Sequence, residues 1–522
     1  MARVSLDNLG RGFLFGTLAE VWRIGSRFVI TPIILAAVGL RGYGVWTLIF
    51  SLAAYVSIAN VGFGVAYTKF TAECVRGREY ERLQGIIGAG IAGVGALAVV
   101  GLLVAWAFGG VILGALNTPQ DMIADGRIAM MIVMTILVLR LTVGCSLEVL
   151  NGLQRVDLTH RLTILASFVE FAITVPLLLM GYGLIGMAIG YAVGQVSCFS
   201  IGIRWVRRED PLVRISPLLA TRDGLRAVMG IGGRMQGLAF VHVAIAEGVK
   251  VLLSVMIDPR ATGMYEIADK LVMLARAPTS ALVGPMLAAF AELQAAGEKI
   301  RERDMLRRGW KAVAILSCSV AAFLAITAQP ALLAWTGRDV PLAAWAVQMM
   351  VLANLCSQQT AVHSSSLRAE GNVRLEFWFA IVSSGIAVAL LIALVGIHPF
   401  YAVVVSRSLA QTVGAAWYMW AFFRHAKIAA GEWWRGASIG RVLAVAVVAG
   451  VVVTTARTLV GAVPLPITPR WYAVVDVCVW GIPYAAIIGA GMWKYVLDDE
   501  ERTQLRGFVG RKLARLRRRP SR

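Results

Sequence analysis

Residues 86–115 read IIGAGIAGVGALAVVGLLVAWAFGGVILGA and contain no charged side chain. A helix of this length is about 45 Å long at 1.5 Å per residue, and the hydrocarbon core of a bilayer is roughly 30 Å thick. Because the stretch is apolar on all sides and long enough to cross, we predict a membrane-spanning helix here.

The rest of the chain has the same character. Of its 522 residues, 58% are hydrophobic and 15% are charged, whereas soluble proteins are about 45–50% apolar and about 25% charged. The mean hydropathy is +0.73. This composition excludes a soluble enzyme and a disordered chain. The apolar runs are continuous rather than alternating, which also excludes an outer-membrane β-barrel.

We predict an all-α polytopic membrane protein with about fourteen transmembrane helices. The predicted helices lie at 12–39, 44–66, 86–115, 122–149, 162–180, 183–203, 227–257, 263–291, 312–336, 342–364, 377–396, 399–422, 442–462 and 472–494.

The net charge is +20, and the positions of the positive residues along the chain indicate membrane topology rather than a nucleic-acid-binding surface. With the N-terminus inside, 36 Lys and Arg residues fall in predicted cytoplasmic segments and five in outer loops. Positive residues are retained on the cytoplasmic side, so we predict a multi-pass protein of the bacterial inner membrane with both termini inside.

Residues 498–522 alternate apolar and basic positions at helical spacing, which predicts an amphipathic helix on the anionic inner leaflet. A solvated charged tail is the alternative.

Two further patterns bear on function. Every predicted outer loop is short, about ten residues at most, so the chain offers no place for the folded outer domain that a membrane glycan polymerase or ligase usually carries. We find no nucleotide-binding loop and no metal-ligand spacing, and none of the six cysteines forms a CxxC pair. We therefore expect a transporter without cofactor or metal, and not an enzyme.

An internal repeat relates residues 39–73 to 258–292 at an offset of 219. Gly44-Val45-Trp46 matches Gly263-Met264-Tyr265, and Ala72-Glu73 matches Ala291-Glu292. Six helices separate the copies, so both have the same orientation, which predicts a pseudo-two-fold axis along the membrane normal. The predicted division is a six-helix bundle at 1–203, a cytoplasmic linker at 204–226, a second bundle at 227–425, two extra helices within 426–496 and the tail at 497–522.

Several soft motifs carry a family resemblance. Gly39-Leu-Arg-Gly-Tyr-Gly-Val-Trp-Thr-Leu, Val149-Leu-Asn-Gly-Leu-Gln-Arg and Gly263-Met-Tyr-Glu-Ile-Ala-Asp-Lys-Leu resemble polysaccharide-biosynthesis flippases of the Wzx type. These are members of the MOP superfamily, with the lipid II flippase MurJ and the MATE exporters. The resemblance implies translocation of an undecaprenyl-diphosphate-linked saccharide by alternating access, for O-antigen, capsule or exopolysaccharide synthesis. It also implies contact with polymerase or export machinery, and we expect a functional monomer.

Cations inside the predicted spans are the candidate site, because a charge at the bilayer centre costs at least roughly 2.5–3.5 kcal/mol and needs a partner, water or a ligand. Arg23 and Arg27 are one turn apart on helix 1, and Arg276 lies near the centre of helix 8. Arginine offers phosphate a fork of donors and stays charged. We predict that these three hold the diphosphate. Secondary contacts are predicted for Lys270, Arg234 and His242.

Carboxylates near these cations leave other interpretations open. Glu247 precedes Lys250 by three residues and Glu266 precedes Lys270 by four, which fits structural ion pairs within a helix. Possible ion-coupling residues are Glu247, Asp269 and Glu170. A lipid II flippase and a MATE-type multidrug antiporter remain the alternative functions, and a membrane polymerase or ligase is a more distant one.

Overall fold

The computed structural model describes residues 6–58, 60–427, 431, 436–460, 468–503 and 506. Over these residues the regular structure is helical. The α-helices are α1 (Leu6–Ser57), α2 (Asn60–Gly77), α3 (Tyr80–Ala115), α4 (Gln120–Thr142), α5 (Ser146–Gly152), α6 (Val156–Leu179), α7 (Gly183–Glu209), α8 (Arg222–Met256), α9 (Pro259–Val283), α10 (Met286–Ala295), α11 (Lys299–Thr336), α12 (Pro341–Gln358), α13 (Ala361–Ala369), α14 (Arg374–Leu394), α15 (Pro399–His425), α16 (Ile439–Val460) and α17 (Pro469–Gly491).

Ten helical segments in the described part are long and apolar enough to cross a membrane. They are Gly25–Ser57, Tyr80–Ala115, Gln120–Gly152, Val156–Leu179, Gly183–Glu209, Pro259–Ala295, Lys299–Thr336, Arg374–Leu394, Ile439–Val460 and Pro469–Val496. The predicted spans that are absent from this set coincide with helices α8, α12–α13 and α15. The predicted fold class, an all-α polytopic membrane protein, is confirmed.

The first of these segments, Gly25–Ser57, covers parts of two predicted spans, 12–39 and 44–66. Gly39 interrupts α1 with φ 69° and ψ −178°, a conformation that residues with a Cβ avoid and glycine adopts readily. The break lies in the predicted turn between the spans at 12–39 and 44–66.

Several predicted helix ends are wrong, and residues 67–85 show the reason. Residues 67–85 were expected to be a cytoplasmic loop, but α2 continues to Gly77 and α3 begins at Tyr80. Hydropathy marks where a helix leaves the bilayer and not where its hydrogen bonds end. The polar end of α2 is itself favourable for a helix, since Lys69 and Glu73 pair at 3.6 Å one turn apart.

By its contacts the chain forms two compact units, Met1–Ile267 with Leu394–Val403 (unit 1) and Ala268–Ala393 with Val404–Arg522 (unit 2). In unit 1, α1 packs against α4, α6 and α8, and the pairs α3–α4 and α6–α7 are adjacent. The predicted boundaries of the two six-helix bundles stay a prediction.

Unit 2 is built on α11, which packs against α12, α16 and α17. Its core is aromatic: Trp310 and His363 lie edge to face at 5.1 Å, and His363 contacts Phe422 in the same way at 4.6 Å. The predicted amphipathic tail lies mostly outside the described residues. Its first turn docks on α11, where the buried Lys311 pairs with Glu501 at 2.7 Å.

The internal repeat has a structural counterpart in unit 1. A Cβ added to Gly44 would overlap the carbonyl oxygen of Pro259, and one added to Gly263 would lie 2.5 Å from the carbonyl oxygen of Leu40. Both pairings connect a glycine of one copy to the residue four before the equivalent glycine of the other, at the same offset of 219. A two-fold relation requires this reciprocity, because residue i then contacts j and j contacts i. The reciprocal glycine contact therefore supports the duplication inferred from the sequence.

Candidate functional site

The cations predicted to bind diphosphate lie on α1, α8 and α9. Arg27 and Arg276 have described, exposed side chains, and that of Lys270 is half-buried. Three others lie on described helical backbone, but their side chains fall outside the described part. These are Arg23, Arg234 and His242.

Unit 1 brings four polar side chains together from four helices. Glu170 of α6 is within electrostatic range of Arg27 of α1. Tyr191 of α7 is within range of both, and Arg140 of α4 lies beside the Tyr191 hydroxyl, close enough to donate a hydrogen bond to it. We call these four residues the unit 1 cluster.

Small residues and aromatic packing allow this approach. A Cβ at Gly194 would lie 3.0 Å from the Cβ of Glu170, and one at Gly144 would lie 3.5 Å from Cγ of Arg140. The Tyr191 ring packs edge to face on Phe50 with centroids 5.1 Å apart. Glycine thus brings α7 close to α6 and leaves room for the Arg140 stem, while the aromatic contact fixes the tyrosine.

The unit 1 cluster carries more positive than negative charge. It contains two guanidinium groups and one carboxyl group, for a formal sum of +1 (two minus one). Tyr191 is 8% exposed, whereas Arg27 and Arg140 are exposed. Among the side chains that the structure describes, no carboxylate oxygen lies within 4.0 Å of either guanidinium. Neither arginine is therefore neutralised by a contacting carboxylate among the described side chains.

Unit 2 contains a cluster with the same charges, two arginines and one carboxylate. Arg276 of α9 is within electrostatic range of Asp269, two turns away on the same helix, and of Arg407 on α15. We call these three residues the unit 2 cluster. Asp269, predicted as an ion-coupling residue, is thereby a neighbour of the predicted diphosphate ligand Arg276.

The structure also adds residues that the sequence analysis did not assign. Arg140, Tyr191 and Arg407 were missing from the predicted site. A usable signal existed for the arginines, because each lies in an apolar run with no acidic residue three or four positions away. No sequence signal distinguishes Tyr191 from the other tyrosines.

Lys250 belongs to a different arrangement. Its Nζ lies 3.0 Å from Glu247 and 3.0 Å from Glu266, and all three side chains are at most 21% exposed. The Ser51 hydroxyl donates to Glu247 at 2.7 Å. This network fits the structural ion pair that the spacing of Glu247 and Lys250 suggested. It connects the part of α1 that follows the break at Gly39 to α8 and α9.

Another intramembrane cation also pairs with a carboxylate. Arg457 of α16 donates to Asp476 of α17 at 2.7 Å, as expected for helices 13 and 14. Over the described residues, no three His, Cys, Asp or Glu side chains form a group able to hold a metal ion.

Comparison with protein families gives one match within the chain. Residues 101–339 match the model of a family described as polysaccharide biosynthesis protein. Comparison with curated protein sequences gives no match.

Comparison with solved structures gives matches over most of the chain. The lipid II flippase MurJ in an inward closed conformation superposes with a TM-score of 0.71 at 12% identity, over 91% of this chain and 99% of that one. An inward-facing multidrug resistance MATE transporter of the MOP superfamily gives 0.62 at 14% identity, over 79% and 96%. A mutant MATE transporter from Vibrio cholerae gives 0.56 at 13% identity, over 81% and 97%.

These matches extend over nearly the full length of the solved transporters, and the family match lies within the membrane-spanning part of this chain. They confirm the fold that the resemblance of the turn motifs implied. The chain is thus a multi-pass membrane protein with the same fold as these solved transporters, and its residues 101–339 match the family model of polysaccharide biosynthesis proteins.

Proposed function

We propose that this protein is a flippase that moves an undecaprenyl-diphosphate-linked oligosaccharide across the bacterial inner membrane, from the cytoplasmic to the outer leaflet. The product would supply surface polysaccharide synthesis, as O-antigen, capsule or exopolysaccharide. The observation that carries the proposal is a net positive cluster in each unit, in which Arg27, Arg140 and Arg276 are exposed on helices long and apolar enough to cross a membrane. The polysaccharide family match and the similarity to a lipid II flippase agree with it.

The arginines suit a diphosphate for two physical reasons. A guanidinium at the level of the acyl chains is costly unless water or an anion compensates it, so exposed arginines there indicate a wet or ligand-filled space. Arginine also matches phosphate oxygens with two parallel donors and does not lose its charge. We assign the diphosphate to Arg23, Arg27 and Arg276, with secondary contacts from Lys270, Arg234 and His242.

Transport by alternating access follows from the energetics of the head group. Each unsatisfied polar group costs several kcal/mol in hydrocarbon, so a saccharide crosses only through a hydrated path while its lipid tail stays in the bilayer. A membrane potential that is positive outside contributes about 2.3 kcal/mol per charge per 100 mV to outward anion movement. Glu247, Asp269 and Glu170 are the candidates for coupling to an ion gradient.

The two alternatives differ in the charge of their substrates. A multidrug antiporter that exports cations is expected to have an acidic binding cavity, whereas both clusters here are net positive. A lipid II flippase carries the same diphosphate, so it shares the charge argument. The match of residues 101–339 to a polysaccharide family favours an oligosaccharide other than lipid II.

The remaining assignments are parts of the same proposal. The protein works as a monomer with both termini inside. Its basic tail contacts the anionic inner leaflet, and it hands its product to a polymerase or export complex outside. It performs no covalent chemistry.

Reconstitution into vesicles tests the proposal. A diphosphate-linked oligosaccharide with a fluorescent sugar is placed in one leaflet, and its arrival in the other is read by a membrane-impermeant quencher. We expect transfer by the wild type and its loss in Arg27→Ala and Arg276→Ala. Arg127→Ala is the matched control, since Arg127 lies at the outer end of α4 and donates to the backbone of Trp106 at 3.0 Å. Full transfer in both cluster variants, at wild-type protein levels, would contradict the site.

A further inference from the structure

We propose that the segment between α7 and α8 forms, together with α3 and α4, a binding site for one bilayer phospholipid with an anionic head group. The acyl chain lies in a groove between α3 and α4, and exposed arginines at the edges of the segment bind the phosphate. We call residues 210–221 the linker segment; α7 ends at Glu209 and α8 begins at Arg222. All of these elements belong to unit 1, and the inference does not depend on which substrate is transported.

The linker segment is fixed along the first turns of α3. The Gln84 side chain donates to the carbonyl oxygen of Leu212 at 2.8 Å. A short 3₁₀ helix at Pro217–Leu219 packs against the same helix. A Cβ added to Gly88 would lie only 2.8 Å from the carbonyl oxygen of Ser216. The segment is therefore held against α3 rather than extended into solvent.

This contact sets the depth of the linker segment in the membrane. The charge-free apolar run of α3 begins at residue 86, so Gly88 lies about 3 Å inside it at 1.5 Å per residue. The segment therefore lies at the boundary between head groups and acyl chains, at the side of the bilayer where α3 begins. The positive-inside prediction makes this the cytoplasmic leaflet, which carries the anionic lipids.

Apolar side chains of the linker segment are exposed at this depth. Leu218 is 92% exposed and Leu212 is 57% exposed. Burial of one leucine side chain is worth about 1.5–3 kcal/mol, so two leucines held in water would be a costly arrangement. At the head-group boundary the same side chains enter the acyl region, as apolar residues of interfacial segments do.

A groove of about 490 Å³ lies beside the linker segment, within the roughly 300–1,000 Å³ of small-molecule sites. Its lining includes Ala96 and Val99 of α3 and Ile215 of the linker segment. Of the described side chains that line it, that of Thr142 alone is polar, and its hydroxyl donates to the Val138 carbonyl of its own helix at 2.7 Å. The groove therefore suits an apolar chain and not a polar ligand.

The groove extends to the depth of the acyl chains. Its lining positions on α3 lie between residues 91 and 99, about 8–20 Å along the helix from the start of the apolar run. One leaflet contributes about 15 Å of a roughly 30 Å hydrocarbon core, so the groove reaches the bilayer centre. Ala96 and Val99 are exposed, which leaves the groove open along its length to a chain of that leaflet.

An arginine lies on each side of the 3₁₀ helix. Arg214 directly precedes Ile215, which lines the groove. Arg222 directly follows Thr221, whose backbone N–H donates to the Gly85 carbonyl at 3.4 Å. Both arginines are exposed, and among the described residues no carboxylate oxygen lies within 4.0 Å of either guanidinium. Since their backbone is held at the head-group boundary, their long side chains reach the phosphates of that leaflet.

The charge balance of this region favours an anionic head group. Residues 204–226 contain six arginines and three carboxylates, for a formal charge of +3 (six minus three). A zwitterionic head group brings a positive ammonium group to the same arginines, whereas phosphatidylglycerol brings only the charge of its phosphate. Each basic side chain near the membrane surface favours the anionic lipid about fivefold.

Photo-cross-linking in lipid nanodiscs tests the site. The full-length protein is reconstituted with phosphatidylglycerol or phosphatidylethanolamine that carries a photoactivatable diazirine in one acyl chain, and the labelled peptides are identified by mass spectrometry. With phosphatidylglycerol we expect labelling of residues 91–99 at least fivefold above that of residues 103–108, an exposed apolar stretch of the same helix. With phosphatidylethanolamine we expect this excess to be at least fivefold smaller.

Two sets of variants locate the chain and the phosphate. Ala96→Phe fills the groove and should remove the excess labelling, whereas Ala107→Phe adds the same ring at an exposed position of α3 outside the groove and should leave it unchanged. Arg214→Gln and Arg222→Gln should each lower labelling by phosphatidylglycerol about fivefold. Arg127→Gln is the matched control, because Arg127 lies at the opposite end of the span, and it should have no effect.

Equal labelling by the two phospholipids would overturn the proposal, as would full excess labelling in Ala96→Phe. Displacement of phosphatidylglycerol by added undecaprenyl phosphate would also overturn it, since the groove would then hold the isoprenoid tail of a transported lipid.

A spin label at Leu218→Cys, introduced after the native cysteines are replaced, gives a second measurement of depth. We expect it to be more accessible to molecular oxygen than to a nickel chelate, and we expect the reverse at Asp223→Cys, where the native side chain is 93% exposed and charged. Equal nickel accessibility at the two positions would place the linker segment in water and overturn the proposal.

Discussion

The reciprocal glycine contact gives the sharpest mechanical prediction. In Gly263→Ala the new Cβ would lie 2.5 Å from the carbonyl oxygen of Leu40, at least 0.5 Å inside the 3.0 Å that real Cβ contacts respect. In Gly44→Ala the overlap with Pro259 is greater. Overpacking of this kind costs about 1–3 kcal/mol, and alanine returns about 1 kcal/mol through helix propensity. Since alanine has the same propensity in every helical conformation, the overlap alone destabilises the conformation in which the two copies touch, by about 1–3 kcal/mol relative to one in which they are apart.

That loss acts only on conformations in which the two copies touch. If transport separates α1 from α9 at this point, the closed population should fall about 5- to 150-fold relative to the open one. The assay is pulsed electron paramagnetic resonance with nitroxide labels at Arg41→Cys and Arg260→Cys, introduced after the native cysteines are replaced. Both positions are exposed and are equivalent under the 219-residue offset.

We expect a longer label distance in both glycine variants, and in the double variant an effect smaller than the sum, because both substitutions strain one contact. Gly110→Ala is the control, since a Cβ there meets nothing within 4 Å. An unchanged distance in both variants, or a shift in only one of them, would refute the reasoning from reciprocity.

Three further predictions concern ion pairs and topology. Asp476→Asn should lower the melting temperature by differential scanning fluorimetry, because it removes the partner of Arg457; the pair is partly buried, with Asp476 12% and Arg457 35% exposed, so the cost is below the roughly 3–5 kcal/mol of breaking a fully buried pair. Glu501→Ala should destabilise more than Lys311→Met, since it leaves the 4%-exposed ammonium with a single partner; equal melting temperatures would contradict this. A cysteine at Arg260 should react with an impermeant maleimide added to intact cells, and protection until the cells are opened would reverse the predicted orientation.

The helices could be predicted from hydropathy because lipid leaves no other way to satisfy backbone hydrogen bonds over so long an apolar run. Their ends could not. The predicted loop at 67–85 is mostly helix, since its charged residues favour water over lipid without disfavouring helix. The turn at Gly39 was found correctly, because a glycine between two apolar runs is a local signal and needs no tertiary information.

The internal repeat could be predicted from the sequence only in part. Its sequence match is sparse, and few positions other than Gly44 and Gly263 are retained in both copies. The structure gives the reason: these glycines face a backbone carbonyl of the other copy, where any side chain would intrude. At Gly44 and Gly263 the repeat retains the residue at which the two copies touch.

The candidate site was predicted in part because charge inside a span is visible in sequence, while its partner is not. Arg27 and Glu170 were both identified, but their proximity depends on how α1 and α6 pack. Arg140 was missing from the predicted site for the same reason. The partners of a side chain on a helix depend on which other helix packs against it, and one sequence does not show that.

The intramembrane cations differ in whether a carboxylate lies three or four residues away on the same helix. Lys250 has a carboxylate three residues away and joins a contact network with it. Arg457 has none on its own helix and contacts Asp476 on the next. Arg27 and Arg140 also lack a local carboxylate, and no described carboxylate contacts either. Arg27 and Arg140 thus have neither a carboxylate nearby on their own helix nor a contacting one on another described helix. A charge at the bilayer centre is costly without a partner, so we expect a ligand to supply the negative charge at these two residues.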